Sequence, residues 1–297
     1  MSETTPSVSE TTTEKSDALR ATFLRDGFLC QRQALPENAL SDWQSLAPAH
    51  WTSTFQALHD HGHTPFPTES ILDADTTGKQ QYALGQGVKH GFREIVRRSP
   101  GRYELPLLNN ARLQESVDTS TWLARLQDHL GSTVPSLLGK TSWDEVKIVN
   151  VSFVVSTPGA SDQGWHADGG HLSLDTHLPC HCLNIFLALH AMPSADWGPT
   201  QVRPGSHVYT RNLAPLLLAA RCRHTLRPPV APLLQPGDVL IFDYRLLHRG
   251  LANQTKDQNR SLLVLTVSEP WFEDRLNFPK RSLYEKKAVV PSAGLGE

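Results

Sequence analysis

The sequence predicts a mainly β fold with flanking helices (α+β), whose core is an antiparallel double sheet. The second half of the chain contains short strand-like segments at residues 149–155, 183–189, 239–242 and 261–267. Turn signals such as the Pro-Gly-Asp sequence at 236–238 separate these segments, with few helical patterns between them. Many short strands with intervening turns are typical of double-sheet folds.

The chain has 297 residues, enough to bury one large core. We expect a single domain over residues 16–297, with a helical N-terminal part at about 16–142, the β core at about 143–270 and a C-terminal extension at 271–297. Residues 1–15 are mainly Ser, Thr and Glu with few large apolar groups, so they are predicted to form a disordered tail.

The net charge predicts the class of partner, and the cysteine content predicts the cellular location. The net charge is −2 and no basic stripe follows a helix, which favours a small-molecule substrate over nucleic acid or a membrane surface. A homodimer is left open. The sequence shows no CxxC motif, no apolar leader and no apolar run of about 20 residues. We therefore expect a cytoplasmic protein with reduced thiols at Cys30, Cys180, Cys182 and Cys222.

The N-terminal half reads mainly as helix. Apolar spacing predicts a helix from Ser16 to Asp26, a short strand at 28–30 and a second helix beginning near Pro36. Another helix is predicted at 120–130, packed on the sheet.

A basic segment runs from Lys89 to Arg102, with Phe92, Ile95 and Val96 spaced as one face of a helix. The segment is interpreted as a solvated amphipathic helix. Alternatively it is part of a lid, in which Arg93 would bind a carboxylated substrate.

After Trp143 the pattern becomes strand-like, because apolar residues alternate with Asn150 and Ser152. One face of this strand would pack and the other would line a site. Asn150 is accordingly a candidate substrate contact.

A Gly-rich turn at 163–171 carries the candidate metal ligands His166 and Asp168. Residues two apart in an extended strand point to the same side, so both can face one ion. His248 follows the strand at 239–242 and is the third candidate ligand, and Arg260 begins the last strand.

Two other His-rich or Cys-rich segments are interpreted differently. His59, His61 and His63 lie near Gly and Pro residues and are expected to be exposed loop histidines. The Cys180-His181-Cys182 segment has no second ligand pair at zinc spacing, so its thiols are expected to be buried.

Together these motifs resemble the phytanoyl-CoA dioxygenase type of non-haem iron(II), 2-oxoglutarate-dependent dioxygenases, especially the fungal members that tailor secondary metabolites. The resemblance covers residues of about 20–275. It rests on Gln163-Gly-Trp-His166-Ala-Asp168, Gly198-Pro199-Thr200, Pro204-Gly205-Ser206-His207, Pro236-Gly237-Asp238, His248-Arg249-Gly250 and Arg260.

The resemblance implies a double-stranded β-helix core, also called a jelly roll or cupin-like fold. It implies that His166, Asp168 and His248 are the catalytic ligands of Fe(II), with 2-oxoglutarate and O2 as cosubstrates. Arg260 would pair with the distal carboxylate of 2-oxoglutarate, since its planar guanidinium suits bidentate binding.

Gln163, Asn184 and Thr200 match cosubstrate contacts of the family and would donate hydrogen bonds to 2-oxoglutarate. Each could instead be satisfied by neighbouring backbone. His171 is a candidate substrate contact, with a structural role as the alternative. Arg249 is expected to form an ion pair.

The implied reaction oxidises an unactivated C–H bond of a small organic metabolite while 2-oxoglutarate is decarboxylated to succinate. Hydroxylation is the default outcome, and desaturation or rearrangement would use the same site. Asp168 argues against a halogenase. The alternatives are a non-catalytic jelly-roll binding protein and a zinc hydrolase, neither of which needs an internal arginine at position 260.

Overall fold

The computed structural model describes residues 8–62, 83–84, 91–108, 118–208 and 227–285, without the side chains of 8–15 and 83–84. The helices are α1 (Val8–Asp26), α2 (Ser41–Asp60), α3 (Thr119–Leu130) and α4 (Thr133–Leu137). The strands are β1 (Phe28–Gln31), β2 (Ala83–Leu84), β3 (Gly91–Phe92), β4 (Ile95–Ser99), β5 (Arg102–Pro106), β6 (Lys147–Ser156), β7 (His166–Ala167), β8 (Cys182–Ala188), β9 (Thr200–Val202), β10 (Val239–Asp243), β11 (His248–Gly250) and β12 (Arg260–Ser268). Short 3-10 helices span Glu37–Ala39, Trp143–Glu145 and Ser206–Val208.

The strands form two sheets. The larger sheet has the order β1-β10-β8-β12-β6-β5-β4-β3, and the smaller has the order β2-β7-β11-β9. Neighbouring strands are antiparallel except β2 and β7, which are parallel. This arrangement confirms the predicted jelly-roll core with flanking helices.

The two faces of the large sheet have different neighbours. On β12, Leu263 and Leu265 belong to the largest apolar cluster, together with residues of all four helices. The alternate residues Leu262 and Val264 belong to a second cluster that includes Val202 of the small sheet. The outer face of the large sheet is therefore covered by helices, and its inner face encloses the space between the sheets.

The strands predicted at 149–155, 183–189, 239–242 and 261–267 are confirmed as β6, β8, β10 and β12, each within three residues of its predicted ends. The helix at 120–130 and the short strand at 28–30 are also confirmed. None of the described helices is long and apolar enough to cross a lipid bilayer.

The first helix begins at Val8, not at Ser16, so the predicted disordered tail is wrong for residues 8–15. The C-terminal end of α1 is anchored by Phe23, whose side chain is buried in the main core. Once a helix is nucleated, each added residue costs little, which allows the polar segment to continue it. Residues 1–7 lie outside the described ranges.

The segment from 91 to 102 is not a helix, which corrects the sequence interpretation. It forms β3, β4 and the start of β5, with Val96 opposite Glu104 across the β4–β5 hairpin. The part of the chain at 16–142 thus supplies strands to the large sheet in addition to its helices. A helical spacing over three apolar residues is too short to exclude a strand whose pairing partner is distant. The lid interpretation assumed that this segment lies outside the β core. That assumption is wrong, because the segment is part of the large sheet.

The described part of the C-terminal extension, 271–285, packs against this hairpin. Arg93 donates two hydrogen bonds to the Lys280 carbonyl, at 2.6 and 3.1 Å. Glu94 accepts hydrogen bonds from the Ser282 hydroxyl at 2.6 Å and from the Leu283 amide at 2.9 Å. The exposed side chain of Arg93 therefore holds the C-terminal segment, which corrects its prediction as a substrate contact.

We expect Leu265→Ala to lower the free energy of unfolding by about 2–5 kcal/mol, since it leaves a cavity in the helix-covered core. Urea unfolding would measure the loss. The control is Leu174→Ala, because Leu174 is 69% exposed and its truncation should change stability by less than about 0.5 kcal/mol. Equal losses in the two variants would contradict the described core.

Candidate metal centre

Strand pairing brings the predicted metal ligands together. His166 opens β7 and His248 opens β11, and the two residues are direct partners across the small sheet. Their ring centroids are 4.3 Å apart. Oδ2 of Asp168 lies 3.4 Å from Nε2 of His248, and Oδ1 lies 3.8 Å from Nε2 of His166. These ligand atoms all lie within 4.8 Å of one another, so one ion could contact all three.

Backbone carbonyls orient both imidazoles. Nδ1 of His166 is 2.9 Å from the Gly164 carbonyl, and Nδ1 of His248 is 3.1 Å from the Leu246 carbonyl. Because a carbonyl oxygen only accepts, each Nδ1 carries the hydrogen and donates it. Each Nε2 then presents its lone pair toward Asp168, which is the tautomer that binds a metal.

Burial lowers the pKa of His166 to about 4, with a smaller contribution from the positive charge that His248 can carry. The carboxylate of Asp168 opposes this shift but does not reverse it. The His166 imidazole is therefore neutral at pH 7, as a metal ligand must be.

The backbone at Asp168 is held by the turn before β11. The amides of Asp168 and Gly169 both donate to the Tyr244 carbonyl, at 3.0 Å. A Cβ at position 169 would lie 2.4 Å from the Tyr244 ring, so this close approach requires glycine. The Asn277 amide donates to the Asp168 carbonyl at 2.9 Å and to the Tyr244 hydroxyl at 2.8 Å.

Asn184 has a different partner from the one predicted. Its amide donates to Oδ2 of Asp168 at 2.6 Å, and its oxygen accepts from the Thr266 hydroxyl at 2.7 Å. The structure thus joins Asn184 to Asp168, and its contact with 2-oxoglutarate stays a prediction.

Gln163 and Thr200 lie on either side of Gly250, beside His248. The side-chain Oε1 of Gln163 accepts a hydrogen bond from the Gly250 backbone amide at 2.9 Å. The backbone amide of Gln163 donates to the Gly250 carbonyl at 2.9 Å. Thr200 is the β9 partner of Gly250 and is buried. Both residues border the metal cluster, and their contact with 2-oxoglutarate stays a prediction.

Arg260 is a buried cation. It opens β12 opposite Ser156 of β6, and its side chain is almost fully enclosed. Within the described ranges, its Nε has no hydrogen-bond partner and no carboxylate lies within ion-pair distance. Burial lowers its pKa to about 9, and the nearby charge of Arg102 adds to the shift. A desolvated guanidinium without a counter-charge is suited to binding an anion.

Arg102 was missed by the sequence reading, which placed it on a solvated helix. It lies on β5, on the other side of Ser156 from Arg260, so the two arginines share one row of the inner face. Its guanidinium donates to the Leu251 carbonyl at 2.7 Å and stacks against Gly250. Burial lowers its pKa to about 10. Recognising 102–106 as a strand, with Arg102 and Glu104 on one face, is the signal that could have found it.

A second polar group on the inner face was also missed. Glu104 accepts hydrogen bonds from Asn150 at 2.8 Å, from the Ser152 hydroxyl at 2.7 Å and from Nε of Arg98 at 2.6 Å. The charge of Arg98 also contributes to the lowered pKa of His166, so this group lies close to the metal cluster. Asn150 is buried and its amide is engaged by Glu104, and its contact with substrate stays a prediction.

The metal cluster does not include the other predicted residues. His171 packs its ring 5.7 Å from His177, and its role stays a prediction. Arg249 forms an ion pair with Asp162 at 3.3 Å, which confirms its prediction. His59 and His61 are exposed at the end of α2, whereas His63 and Cys222 lie outside the described residues. Cys180 and Cys182 are buried thiols, as predicted, and Cys180 donates to the Cys182 carbonyl.

Comparison with known proteins finds a similar dioxygenase. A dioxygenase of Aspergillus fumigatus, Dioxygenase af480, is 28% identical over 148 residues, which cover 48% of this chain and 43% of that relative. The aligned segment therefore spans less than half of the relative's length.

Solved structures share the fold. HygX from Streptomyces hygroscopicus, with nickel and 2-oxoglutarate bound, has a TM-score of 0.52 at 15% identity, covering 86% of this chain and 88% of that chain. SnoK, a non-haem α-ketoglutarate-dependent carbocyclase from nogalamycin biosynthesis, has a TM-score of 0.52 at 15% identity, covering 90% and 87%.

The model of one protein family, described as phytanoyl-CoA dioxygenase (PhyH), matches residues 23–261, which is most of the chain. The protein therefore belongs to the phytanoyl-CoA dioxygenase (PhyH) family, whose members use Fe(II), 2-oxoglutarate and O2.

Proposed function

We propose that this chain is an iron(II)- and 2-oxoglutarate-dependent dioxygenase that oxidises a C–H bond of a small organic metabolite, with hydroxylation as the default outcome. The observation that carries the proposal is a pair of features that face the space between the two sheets. A His/Asp/His cluster lies on the small sheet, and β12 of the large sheet opens with a buried arginine that has no counter-charge among the described residues.

The cluster fits iron(II). Two imidazoles and one carboxylate converge from one side, which is the donor set of non-haem iron oxygenases, and they leave the opposite positions open. Iron bound by His166, Asp168 and His248 would supply the redox chemistry that uses O2 and 2-oxoglutarate and releases succinate and CO2.

The protein contributes binding and electrostatics. Arg260 would pair with the distal carboxylate of 2-oxoglutarate, in a buried region where a charge-assisted bond is stronger than in water. Arg102 adds a second positive charge to the same region. Because both arginines are desolvated, a dianionic cosubstrate would relieve the cost of their burial.

The wall beside the cluster indicates a substrate with polar groups. Asn150, Ser152 and Glu104 lie on the inner face of β5 and β6, and Asn150 pairs with Thr266, two strands from Asn184. This row of polar side chains leads directly to Asp168. The relation to SnoK, a carbocyclase, supports keeping ring formation and other rearrangements among the outcomes to be tested.

A zinc hydrolase or a non-catalytic binding protein could use the same three ligands. Neither explains why Arg260 is buried with no counter-charge in the part of the chain that the structure describes. The test is incubation of the purified chain with Fe(II), ascorbate, 2-oxoglutarate and a metabolite library in air. Succinate together with a substrate gaining or losing mass would support the proposal. Water addition to a substrate without succinate would favour a hydrolase.

Alanine at His166, Asp168 or His248 should abolish succinate formation and reduce bound iron from one ion per chain to near zero, because each variant removes a ligand. Elemental analysis after anaerobic loading would measure the iron. The control is His59→Ala, since His59 is exposed at the end of α2 and should not affect iron content. Full iron occupancy with activity in Asp168→Ala would show that the cluster was assigned wrongly.

Arg260→Leu should weaken 2-oxoglutarate binding by about two to four orders of magnitude, since leaving a buried carboxylate unpaired costs about 3–5 kcal/mol. Calorimetric titration of the anaerobic iron(II) protein would measure the change. Arg260→Lys should recover part of it, because a point charge cannot form two parallel hydrogen bonds.

Arg249→Leu is the matched control, since Arg249 already pairs with Asp162 and Gln201. It should bind 2-oxoglutarate as the unaltered chain does. Loss of binding in Arg249→Leu, with normal binding in Arg260→Leu, would mean that the cosubstrate lies elsewhere.

A further inference from the structure

We propose that Asn184 and Thr266 are positioning residues that hold Asp168 so that only one of its carboxylate oxygens binds the metal. The inference rests on the proposed metal-binding role of Asp168. It assigns these two residues to the carboxylate ligand, not to the cosubstrate.

The hydrogen bonds form one directed chain. Thr266 of β12 and Asn184 of β8 are direct partners across the large sheet, and both are buried on its inner face. The Thr266 hydroxyl is 2.7 Å from Oδ1 of Asn184, and Nδ2 of Asn184 is 2.6 Å from Oδ2 of Asp168.

The chemistry of the groups determines the direction of this chain. An ionised carboxylate only accepts hydrogen bonds, so the NH2 side of the Asn184 amide must face Asp168. The amide oxygen then faces Thr266, whose hydroxyl donates to it. Thr266 therefore keeps the amide in the one orientation that can donate to the metal ligand.

The bond to Asp168 restricts how the carboxylate can bind an ion. Oδ2 is occupied by the Asn184 amide, which leaves Oδ1 as the better metal ligand. A carboxylate that bound through both oxygens would take one of the open positions that the cosubstrate and O2 require. The hydrogen-bonded chain from Thr266 through Asn184 to Asp168 thus keeps these coordination positions open.

A purely structural role explains the arrangement less well. Asn184 lies between Leu183 and Ile185 in a strand whose residues are all buried, where an apolar side chain would be expected. A buried amide is costly without partners, and here its donor side is satisfied by a metal ligand. A structural role predicts loss of stability alone, whereas a positioning role predicts a change at the metal.

The experiment compares Asn184→Leu, Thr266→Val and Thr266→Ser with the unaltered chain. Removing such outer partners of a metal ligand typically weakens metal binding by about 10–100-fold. We expect this loss in Asn184→Leu, a smaller loss in Thr266→Val and near-normal affinity in Thr266→Ser, which keeps the hydroxyl. Anaerobic Fe(II) titration would measure affinity, and the visible absorption of the iron(II)–2-oxoglutarate complex should shift in the first two variants.

Thr54→Val is the matched control, because Thr54 is a buried threonine on α2, which packs on the outer face of the large sheet, whereas Asn184 and Thr266 lie on its inner face. It should leave iron affinity and the absorption band unchanged. Thermal unfolding of the metal-free proteins measures the stability of each variant separately from its metal affinity. If Asn184→Leu does not fold, Thr266→Val, which conserves the side-chain shape, decides the question.

The outcomes separate this inference from the proposed function. Unchanged iron affinity and spectrum in folded Asn184→Leu, or in folded Thr266→Val where Asn184→Leu does not fold, would overturn the positioning role while leaving the oxygenase intact. Normal 2-oxoglutarate binding in Arg260→Leu, with iron affinity reduced in Asn184→Leu, would overturn the assignment of Arg260 to the cosubstrate and support the positioning role. Absence of iron binding by the unaltered chain would overturn both.

Discussion

The pairing of β7 with β11 sets His166 directly opposite His248, and the metal cluster depends on this register. Because β7 has only two residues, its own pairing cannot hold it in place. The bonds between Gln163 and Gly250, and those from Asp168 and Gly169 to Tyr244, hold the turn on each side of it. A slip of one residue would turn the histidine to the other face of the sheet and remove it from the cluster.

The inner face concentrates charges that are expensive to bury. Asp168 accepts a hydrogen bond from Asn184, whereas Arg260 and Arg102 have no carboxylate within ion-pair distance among the described residues. Buried ionisable groups that have shifted pKa values and lack an opposite charge nearby are often found at functional sites. The opposite face of the same sheet packs an extensive apolar core against four helices, which stabilises the fold despite these costs.

The β4–β5 hairpin and the described C-terminal segment both contribute to the wall of the site. The β4–β5 hairpin supplies Arg98 and Glu104, and the C-terminal segment supplies Asn277, which accepts from Arg98 at 3.0 Å through its carbonyl. The Asn277 amide in turn reaches the Asp168 carbonyl. Asp168, the hairpin and the end of the described chain are therefore one hydrogen-bonded unit, so changes in the C-terminal segment can act on the candidate metal centre.

The sequence by itself determined the members of the His/Asp/His cluster, the arginine that opens the last strand and the positions of β6, β8, β10 and β12. These features are local, since an alternating pattern or a His-x-Asp spacing can be read from a few neighbouring residues. Only the tertiary structure decided that residues 91–102 are strands, that Arg102 lies beside Arg260, and that Asn184 binds Asp168. The deciding contacts join residues far apart in the chain, such as Arg102 with Leu251, 149 residues away, and Thr266 with Asn184, 82 residues away. A local pattern shows that a side chain is polar and buried, but its hydrogen-bond partner is set by which strands become neighbours.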